Sequence, residues 1–366
     1  VKKIDKILQI QILIKKIYIA KEIENKGKNL KETTDLSSNK DPLEMVDMNK
    51  PKPKEGEILI SVSTCGVCHT ELDEIEGRTP PPSFPRVLGH QVVGVVEELG
   101  KRANRFKRGD RVGVAWIFSS CGECHYCREG NDNLCEQFKA TGRDVNGGYA
   151  EYMTVSENYA YLIPEVFSDT EAAPFLCAGA IGYRSLKLTG LEDGLSLGLT
   201  GFGASGHLVI KMAKYIFPNS KIYVFARSEK EREFSKELGA VWAGNTEDPA
   251  PQKLDAIIDT TPVWKPVVEA LKNLNTEGRL VINAIRKEPV DKDYLLNLNY
   301  SRDLWMEKEI KSVANVSTRD VIEFLELASQ IPIRAEIEEY ALEDANKALI
   351  DLKQGKIRGA KVLVIK

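Results

Sequence analysis

Six of the seven cysteines in this chain stand where metal ligands could lie. Four of them form one run with the spacing C-x2-C-x2-C-x7-C, at Cys121, Cys124, Cys127 and Cys135. A closed tetrahedral zinc site needs four such ligands, and short cysteine spacings allow one loop to wrap the ion. The run therefore predicts a structural zinc site in the loop 121–135.

Two further cysteines and one histidine are scattered along the chain, as Cys68 in GVCHTE, His90 in LGHQV and Cys177 in PFLCAG. Each alone has a plainer interpretation, as a small buried apolar thiol or a structural histidine. A catalytic zinc site keeps one position open, so three protein ligands suffice. Cys177 also lies where a β-rich half meets an α/β half, and ligand clefts commonly form at such junctions. We therefore predict a second, catalytic zinc site, and leave Cys65 without a role.

The composition narrows the classes of partner. Of the 366 residues, 42% are hydrophobic and 29% are charged, and the net charge is −3 with a pI near 6.0. This length has room for two domains. An acidic balance argues against a nucleic-acid partner, and the lack of a long uninterrupted apolar run argues against a membrane-spanning helix. We expect a small-molecule partner.

The N-terminal segment is rich in lysine and isoleucine. Two glutamines and a lysine pair interrupt its apolar stretch and no A-x-A-like cleavage site follows, which disfavours a secretory leader. We predict an extension and first strand within residues 1–28, with the strand around 12–20, and a polar loop over 25–40. Metal-like cysteine spacing favours a reducing, cytoplasmic location.

The pattern of predicted secondary structure changes near Asp169. Short β-branched runs between turn sequences fill residues 43–151 without a pattern of helix length, which predicts an irregular barrel or sandwich. Beyond Asp169, near-continuous apolar strands alternate with helical segments, which predicts a parallel sheet with helices on both faces. The expected fold class is α/β, a doubly wound parallel sheet beside a β-rich domain.

A glycine-rich turn marks the start of this second part. Gly201, Gly203 and Gly206 form G-x-G-x-x-G between the strand LSLGLT and the helix GHLVIKMAKY. These glycines permit a tight turn, close approach of the backbone to a pyrophosphate, and close helix–strand packing. The free N–H groups of the helix start, at Ala204 and Ser205, favour phosphate. We predict a dinucleotide site, with a structural glycine turn as the plainer alternative.

The end of the second strand decides the cofactor preference. An acidic residue about 20 positions beyond the glycines usually binds the ribose 2′-hydroxyl of NAD. Ala226, Arg227 and Ser228 occupy that place here. No carboxylate repels a 2′-phosphate, and Arg227 can pair with one. We predict NADP(H), and NAD stays possible if Arg227 is only a solvated loop residue.

The order of these motifs resembles that of the zinc-dependent alcohol dehydrogenases of the medium-chain dehydrogenase/reductase superfamily. GVCHTE, LGHQVVG, CGECHYC, PFLCAGAIGY and GFGASG carry the resemblance, which covers residues 43–366. It implies a GroES-like catalytic domain of residues 29–177 and 314–366 around a Rossmann domain of residues 178–313. It also implies two zinc ions per chain and a homodimer or homotetramer.

The same resemblance implies roles for single residues. The three scattered ligands are similar to the catalytic zinc ligands of the family, and Thr70 to the hydroxyl that passes on the substrate proton. His69 and Arg358 are similar to contacts of the cofactor pyrophosphate. Trp116 and Ile117 fall at the substrate wall, where they favour an apolar substrate with a terminal hydroxyl or carbonyl.

Three positions depart from the commonest family pattern. Glu71 stands where Asp is usual, and it can still accept the second ring hydrogen of His90 and fix its tautomer. Gln91 stands where Glu is common and removes a negative charge beside the zinc. Asp73 stands where many members have His, so proton exit through Asp73, a cofactor hydroxyl or solvent stays open.

Other functions remain as alternatives. A polyol or secondary-alcohol dehydrogenase could use the same scaffold. A zinc-ribbon nucleic-acid binder is disfavoured by the acidic charge and the complete nucleotide motif. A non-catalytic zinc- and nucleotide-binding scaffold is disfavoured by the intact set of Cys68, Thr70, His90 and Cys177. We expect hydride transfer between a nicotinamide cofactor and a primary alcohol or aldehyde.

Overall fold

The computed structural model describes residues 23–331, 333–355 and 359–366. The strands in chain order are β1 (Ile23–Leu30), β2 (Leu43–Asn49), β3 (Glu57–Val67), β4 (Arg86–Val87), β5 (Val92–Leu99), β6 (Arg111–Val114), β7 (Ile117–Ser119), β8 (Lys139–Ala140), β9 (Tyr152–Ser156), β10 (Ala160–Leu162), β11 (Leu197–Thr200), β12 (Ile222–Phe225), β13 (Trp242–Gly244), β14 (Leu254–Asp259), β15 (Leu274–Ile282), β16 (Glu309–Ser312), β17 (Ile337–Ala341) and β18 (Ala360–Val364). The helices are α1 (His69–Ile75), α2 (His125–Arg128), α3 (Asp169–Ala172), α4 (Ala178–Thr189), α5 (Ala204–Ile216), α6 (Glu229–Glu237), α7 (Lys265–Asn273), α8 (Thr318–Gln330) and α9 (Ala345–Lys353).

The β-rich half is built around a mixed sheet in the order β10-β6-β5-β3-β18-β17, with β9 also paired to β3. The β-branched runs of its strands turn apolar side chains inward, so that Ile60, Val62 and Val114 are fully buried. Strand β18 pairs antiparallel with β3, with Leu363 opposite Cys65. The C-terminal strands therefore complete the sheet that the first part of the chain begins.

A smaller sheet, β2-β1-β4, corrects one expectation. The sequence predicts a polar loop over 25–40, but its first residues belong to strand β1. Antiparallel pairing with β2 and β4 satisfies the backbone despite the polar side chains, and the Lys28 N–H donates to the Tyr149 carbonyl at 2.8 Å. Long-range pairing thus overrides local propensity. The strand predicted around 12–20 lies outside the described residues.

Helix α1 corrects a second expectation, because the sequence predicts no helix within residues 43–151. The Thr70 N–H donates to the Cys68 thiol sulfur at 3.4 Å, and the Cys68 N–H donates to Glu71 Oε2 at 2.8 Å. This reciprocal cap satisfies two N–H groups of a helix too short to be stable alone. It also places Cys68 and Thr70 on one turn.

The second half forms a parallel sheet in the order β13-β12-β11-β14-β15-β16. This is the 3-2-1-4-5-6 order of a Rossmann fold. The order in which successive strands are added reverses between the parallel neighbours β11 and β14, and ligands bind there, at the carboxyl ends of the strands. The predicted α/β class, with a parallel sheet beside a β-rich domain, is confirmed. Among the described residues, no helix combines the length and apolarity that crossing a bilayer requires.

Helix α8 connects the two halves. The sequence assigns residues 314–366 to the β-rich domain, and β17 and β18 lie in its sheet. Helix α8 instead packs its buried Phe324 against Tyr183 of α4, with ring centroids 6.2 Å apart, in the apolar core of the parallel-sheet half. The domain boundaries stay predictions.

Candidate functional site

The three scattered ligand candidates come together although they lie far apart in sequence. Cys68 precedes α1, His90 precedes β5 and Cys177 precedes α4, and their ligand atoms all lie within 4.8 Å of one another. Cys68 Sγ and His90 Nε2 are 3.7 Å apart. Tetrahedral zinc with ordinary Zn–S and Zn–N bonds separates such atoms by about 3.6 Å. The donor set therefore fits a zinc ion with one position left for a substrate.

A buried carboxylate orients the histidine of this set. Glu71 Oε1 lies 2.6 Å from His90 Nδ1, and both side chains are almost completely buried. A carboxylate on Nδ1 leaves Nε2 facing the two thiols, which is the usual support for a metal-binding histidine. The neighbouring Gln91 is buried against Gly66, where any Cβ would lie 2.6 Å from the Gln91 amide oxygen.

The charges around the cluster favour a bound cation. A hydrogen bond with Cys177, burial and the Glu71 carboxylate raise the pKa of the Cys68 thiol well above its ordinary value. Burial lowers the pKa of His90, but Glu71 and Cys68 outweigh it and raise that pKa. Without a metal the cluster therefore retains protons, and metal binding would release them.

Two further buried polar groups lie near this site, and neither was predicted. Both carboxylate oxygens of Glu74 lack a hydrogen-bond partner among the described residues, as does the Tyr149 hydroxyl. Burial, followed by the Glu71 charge, raises the pKa of each group well above its ordinary value. Glu74 lies one helical turn after Glu71, and that spacing was the available sequence signal.

Helix α1 presents the other predicted residues of the site. Thr70 is half-buried, and His69 keeps an exposed surface. Desolvation nevertheless lowers the pKa of His69, against the opposing charges of Asp73 and Glu288. The Asp73 carboxylate is already engaged by two arginines. Its Oδ1 accepts hydrogen bonds from Arg78 Nε at 2.6 Å and Arg286 Nη2 at 2.7 Å.

The second ligand set is compact. Sulfur atoms of the four cysteines lie 3.5 to 3.8 Å apart in three recorded pairs, between Cys121 and Cys127, Cys124 and Cys127, and Cys121 and Cys135. A zinc ion with four thiolates separates its sulfurs by about 3.8 Å. The N–H groups of Glu123 and Cys124 lower the pKa of Cys121 to about 6. This set fits a closed site.

Hydrogen bonds attach the four-cysteine loop to its surroundings. Asp132 accepts from the Thr318 N–H at 3.0 Å and from the Thr318 hydroxyl at 2.5 Å, at the start of α8. Tyr159 donates to Ser120 Oγ at 2.5 Å, which leaves the Ser120 hydroxyl hydrogen for Cys127 Sγ at 3.1 Å. The loop thus contacts both halves of the chain.

The glycine turn has the geometry of a phosphate loop. Gly201 has a φ of 79°, and a Cβ there would lie 2.8 Å from Thr260 Oγ1. A Cβ on Gly203 would meet only open space, and a Cβ on Gly206 would lie 3.1 Å from the Gly201 carbonyl oxygen. Ser205 Oγ donates to the Ala178 carbonyl at 3.2 Å, which places the start of α5 beside the Cys177 segment.

The predicted 2′-phosphate contacts lie at the end of β12. Ala226 is buried, whereas Arg227 and Ser228 are exposed before α6, and Ala204 begins α5 on the adjacent strand connection. Arg232 donates to the carbonyl oxygens of Ala226 at 2.7 Å and Arg227 at 3.0 Å. Sequence reasoning missed this second arginine, which holds the loop in place.

The remaining predicted residues are less accessible or lie elsewhere. Trp116 and Ile117 are 7% and 2% exposed within the apolar core of the β-rich half. Trp116 packs against Phe138 in a tilted arrangement, with ring centroids 5.0 Å apart. Their substrate-wall role stays a prediction. Arg358 lies outside the described residues.

Known proteins are similar to this chain in sequence. Residues 54–165 match the model of the alcohol dehydrogenase GroES-like domain. The chain is 42% identical over 329 residues to a probable alcohol dehydrogenase, AdhA, of Mycobacterium tuberculosis, which covers 88% of this chain and 93% of that protein.

Solved structures share the fold of this chain. A cinnamyl alcohol dehydrogenase of Sorghum bicolor superimposes with a TM-score of 0.77 at 26% identity, over 93% of this chain and 98% of that one. The enzyme named CAD from Helicobacter pylori, solved in complex with NADP(H), gives a TM-score of 0.81 at 23% identity over 93% and 98% of the two chains.

Proposed function

Because this chain belongs to the zinc-type alcohol dehydrogenase family of the medium-chain dehydrogenase/reductase superfamily, we propose that it transfers a hydride between NADP(H) and a primary alcohol or its aldehyde. The approach of Cys68, His90 and Cys177 within 4.8 Å, beside the glycine turn, carries the proposal. A structural zinc loop or a nucleotide fold alone would not require this second ligand set.

The chain would hold one zinc ion at Cys68, His90 and Cys177. Zinc bound there polarises a carbonyl or acidifies an alcohol, and the nicotinamide supplies or accepts the hydride. Glu71 holds His90 in the tautomer whose Nε2 can bind metal. The Thr70 hydroxyl, two residues beyond a ligand on the same turn, would accept the alcohol proton while it releases its own hydrogen outward to solvent or a cofactor hydroxyl, and so would act as a relay.

A second zinc ion would be structural, held by the four-cysteine loop of residues 121–135. Four thiolates leave no open position, so this ion has no place for substrate. Its role is to fix the loop whose Asp132 caps the start of α8. We expect two zinc ions per chain by elemental analysis, and one or none in well-folded protein would contradict the pair of sites.

The cofactor would lie across the carboxyl ends of the strands. A Cβ on Gly203 would meet nothing within 4 Å, so this side of the turn leaves room for a pyrophosphate to approach the N–H groups at the start of α5, at Ala204 and Ser205. His69 and Arg358 are proposed as further pyrophosphate contacts. The exposed Arg227 would pair with the 2′-phosphate of NADP(H), in a place without a carboxylate.

The cofactor preference can be tested at Arg227. A charge-assisted hydrogen bond contributes about 1.5–3 kcal/mol, so Arg227→Ser should lower kcat/KM for NADPH by roughly tenfold or more. The value for NADH should stay nearly constant. Lys236→Ser removes the same charge from the far end of α6 and serves as the control. Better wild-type kcat/KM with NADH would contradict the proposal.

The reaction is tested by initial rates over a panel of alcohols and aldehydes with both cofactors. Primary alcohols and their aldehydes should give the highest kcat/KM. A preference for polyols would indicate the other substrate class on the same scaffold. No turnover of any member by protein that contains two zinc ions would contradict the proposal.

Self-assembly is also proposed. Strand β16 ends the parallel sheet, all four of its residues are exposed, and its outer backbone groups can pair with another strand. Ile310 adds an exposed apolar side chain. Sedimentation should find a dimer or tetramer, and Ile310→Glu should shift it toward smaller species. A monomeric wild type would contradict this.

We place the protein in the cytoplasm, since none of the seven cysteines forms a disulfide and six of them belong to the two proposed zinc sites.

A further inference from the structure

In the loop after β15, two neighbouring side chains contact different halves of the molecule. Arg286 contacts Asp73 on α1, whereas Lys287 contacts the end of β14. We infer that Arg286 and Lys287 form a positioning element that holds α1, with its candidate zinc ligand and proton-relay hydroxyl, against the cofactor edge of the parallel sheet. The inference rests on the proposed hydride transfer, because it concerns the alignment of the reacting groups.

Lys287 anchors the loop within the parallel-sheet half. Its ammonium contacts Asp259 and donates to the carbonyl oxygens of Thr261 at 2.7 Å and Val263 at 3.0 Å. The side chains of Lys287 and Asp259 are 7% and 0% exposed. Three acceptors match the three donors of the ammonium group, so the buried charge is fully paired.

The anchor also supports the glycine turn. Asp259 Oδ1 accepts hydrogen bonds from Thr200 Oγ1 at 2.6 Å and Thr261 Oγ1 at 2.7 Å. The Thr260 N–H donates to the Thr200 carbonyl at 2.9 Å. Thr260 in turn lies so close to Gly201 that a Cβ on the glycine would be 2.8 Å from its hydroxyl oxygen. Lys287 is therefore tied, through this cluster, to the turn that would hold the pyrophosphate.

Arg286 makes the connection across to α1. Its Nη2 donates to Asp73 Oδ1 at 2.7 Å, and Arg78 Nε donates to the same oxygen at 2.6 Å. The side chains of Asp73 and Arg286 are 6% and 18% exposed, so water screens this pair poorly. Arg286 Nε is buried and has no hydrogen-bond partner among the described residues. Among the described residues, Arg286 therefore contacts the β-rich half through its hydrogen bond with Asp73.

This arrangement gives Asp73 a positioning role instead of a role in proton transfer. Two guanidinium groups share one of its oxygens, which fixes the carboxylate as the link between the halves. Hydride transfer needs donor and acceptor about 3–3.5 Å apart, and a displacement of about 1 Å can lower the rate about a hundredfold. A link that sets the place of α1 over the cofactor therefore acts on the rate of hydride transfer more than on cofactor affinity.

The test compares substitutions at both ends of the link by single-turnover hydride transfer, cofactor Kd and pH profile. Arg286→Met and Asp73→Ala should each lower the transfer rate by about 10- to 100-fold, with little change in cofactor Kd. The double variant should lose no more than either single one. Arg286→Lys should restore part of the rate. Asp73→Asn should retain most of it, because its amide oxygen still accepts from both arginines.

Proton acceptance by Asp73 predicts a different pattern. Asp73→Asn would then be as slow as Asp73→Ala and would change the pH profile, whereas Arg286→Met would keep the wild-type rate. That result would overturn the inference. Arg102→Met breaks an exposed pair with Glu55 and should leave every readout unchanged.

A readout without turnover separates this inference from the proposed reaction. Hydrogen exchange of the α1 amides should be faster in Arg286→Met than in the wild type, while exchange in α5 stays the same. If the wild type oxidises no alcohol but α1 is loosened, the reaction fails and the link stands. If exchange in α1 is unchanged, the link fails whatever the reaction.

Discussion

The two cysteine clusters of this chain differ in how the polymer assembles them. The four-cysteine set lies within residues 121–135, so one loop brings its sulfurs to 3.5–3.8 Å. The other set draws on residues 68, 90 and 177 and needs a helix start, a strand start and a domain junction to meet. A local cluster can therefore stabilise the fold that holds it, whereas a dispersed cluster depends on a fold that already exists.

The two clusters also differ in the pKa of their thiols. Backbone N–H groups of its own loop lower the pKa of Cys121 to about 6. Cys68 has the opposite shift, because its hydrogen bond with Cys177, burial and Glu71 disfavour the thiolate. The loop thus favours one thiolate before a metal arrives, at Cys121, although burial raises the pKa of Cys127 in the same loop. The dispersed cluster has no such favoured thiolate at Cys68 and needs the metal charge. We therefore expect substitutions to separate a stability site from an activity site.

Removal of a dispersed ligand should have the largest effect on activity. Cys177→Ser should lower kcat/KM by more than the roughly 10- to 100-fold that loss of a supporting contact causes. The melting temperature should change little, because the surrounding sheets do not depend on this thiol. Elemental analysis should find one zinc ion fewer per chain. A large loss of stability with retained activity would mean that the two sites are exchanged.

Removal of a loop ligand should act on stability instead. Structural zinc can contribute on the order of 10 kcal/mol to folding, so Cys124→Ser should lower the free energy of unfolding by several kcal/mol. Protein that remains folded should keep most of its kcat/KM. Cys65→Ser is the matched control, since this buried cysteine lies outside both ligand sets. Equal losses of zinc in the control would contradict the assignment.

Loss of the carboxylate charge beside His90 should have the next largest effect. Glu71→Gln removes the charge 2.6 Å from His90 Nδ1 and should lower activity and zinc affinity by about 10- to 100-fold. Glu74→Gln is the matched control, because it makes the same change one helical turn away, at a carboxyl that burial and the Glu71 charge already disfavour as an anion by raising its pKa. Equal effects of the two substitutions on kcat/KM and on chelator-driven zinc loss would contradict the role of Glu71.

The contrast between local and dispersed clusters also explains which features could be predicted from the sequence. The loop 121–135 and the glycine turn were predictable, because each depends on residues within a few positions of one another. The dispersed cluster required a family resemblance as well. Helix α1 was missed because it is short and its cap is a cysteine, although Cys68 and Glu71 have the spacing of a capping box.

Features that depend on distant partners were not predictable. Strand β1 has a polar sequence, and its pairing with β2 and β4 makes it a strand. Asp73 could be weighed only as a proton acceptor, because its partner Arg286 lies in the other half of the chain. Sequence patterns report local geometry, while tertiary contacts decide what a buried charge does.

The smallest effect expected is on the loop site, through its outer hydrogen bonds. Burial raises the pKa of Tyr159 to about 12, so its hydroxyl remains a donor to Ser120, whose own hydrogen is left for Cys127. One such bond contributes about 1 kcal/mol, so Ser120→Ala should speed zinc release to a chelator about fivefold. Tyr159→Phe should have a smaller effect, and Tyr126→Phe, an exposed tyrosine of the same loop, should have none. Neither Ser120→Ala nor Tyr159→Phe should change kcat/KM, because the bonds support the zinc that takes no part in the reaction. Unchanged zinc release in Ser120→Ala would show that the loop backbone alone holds the thiolates, which would make the two clusters still more different.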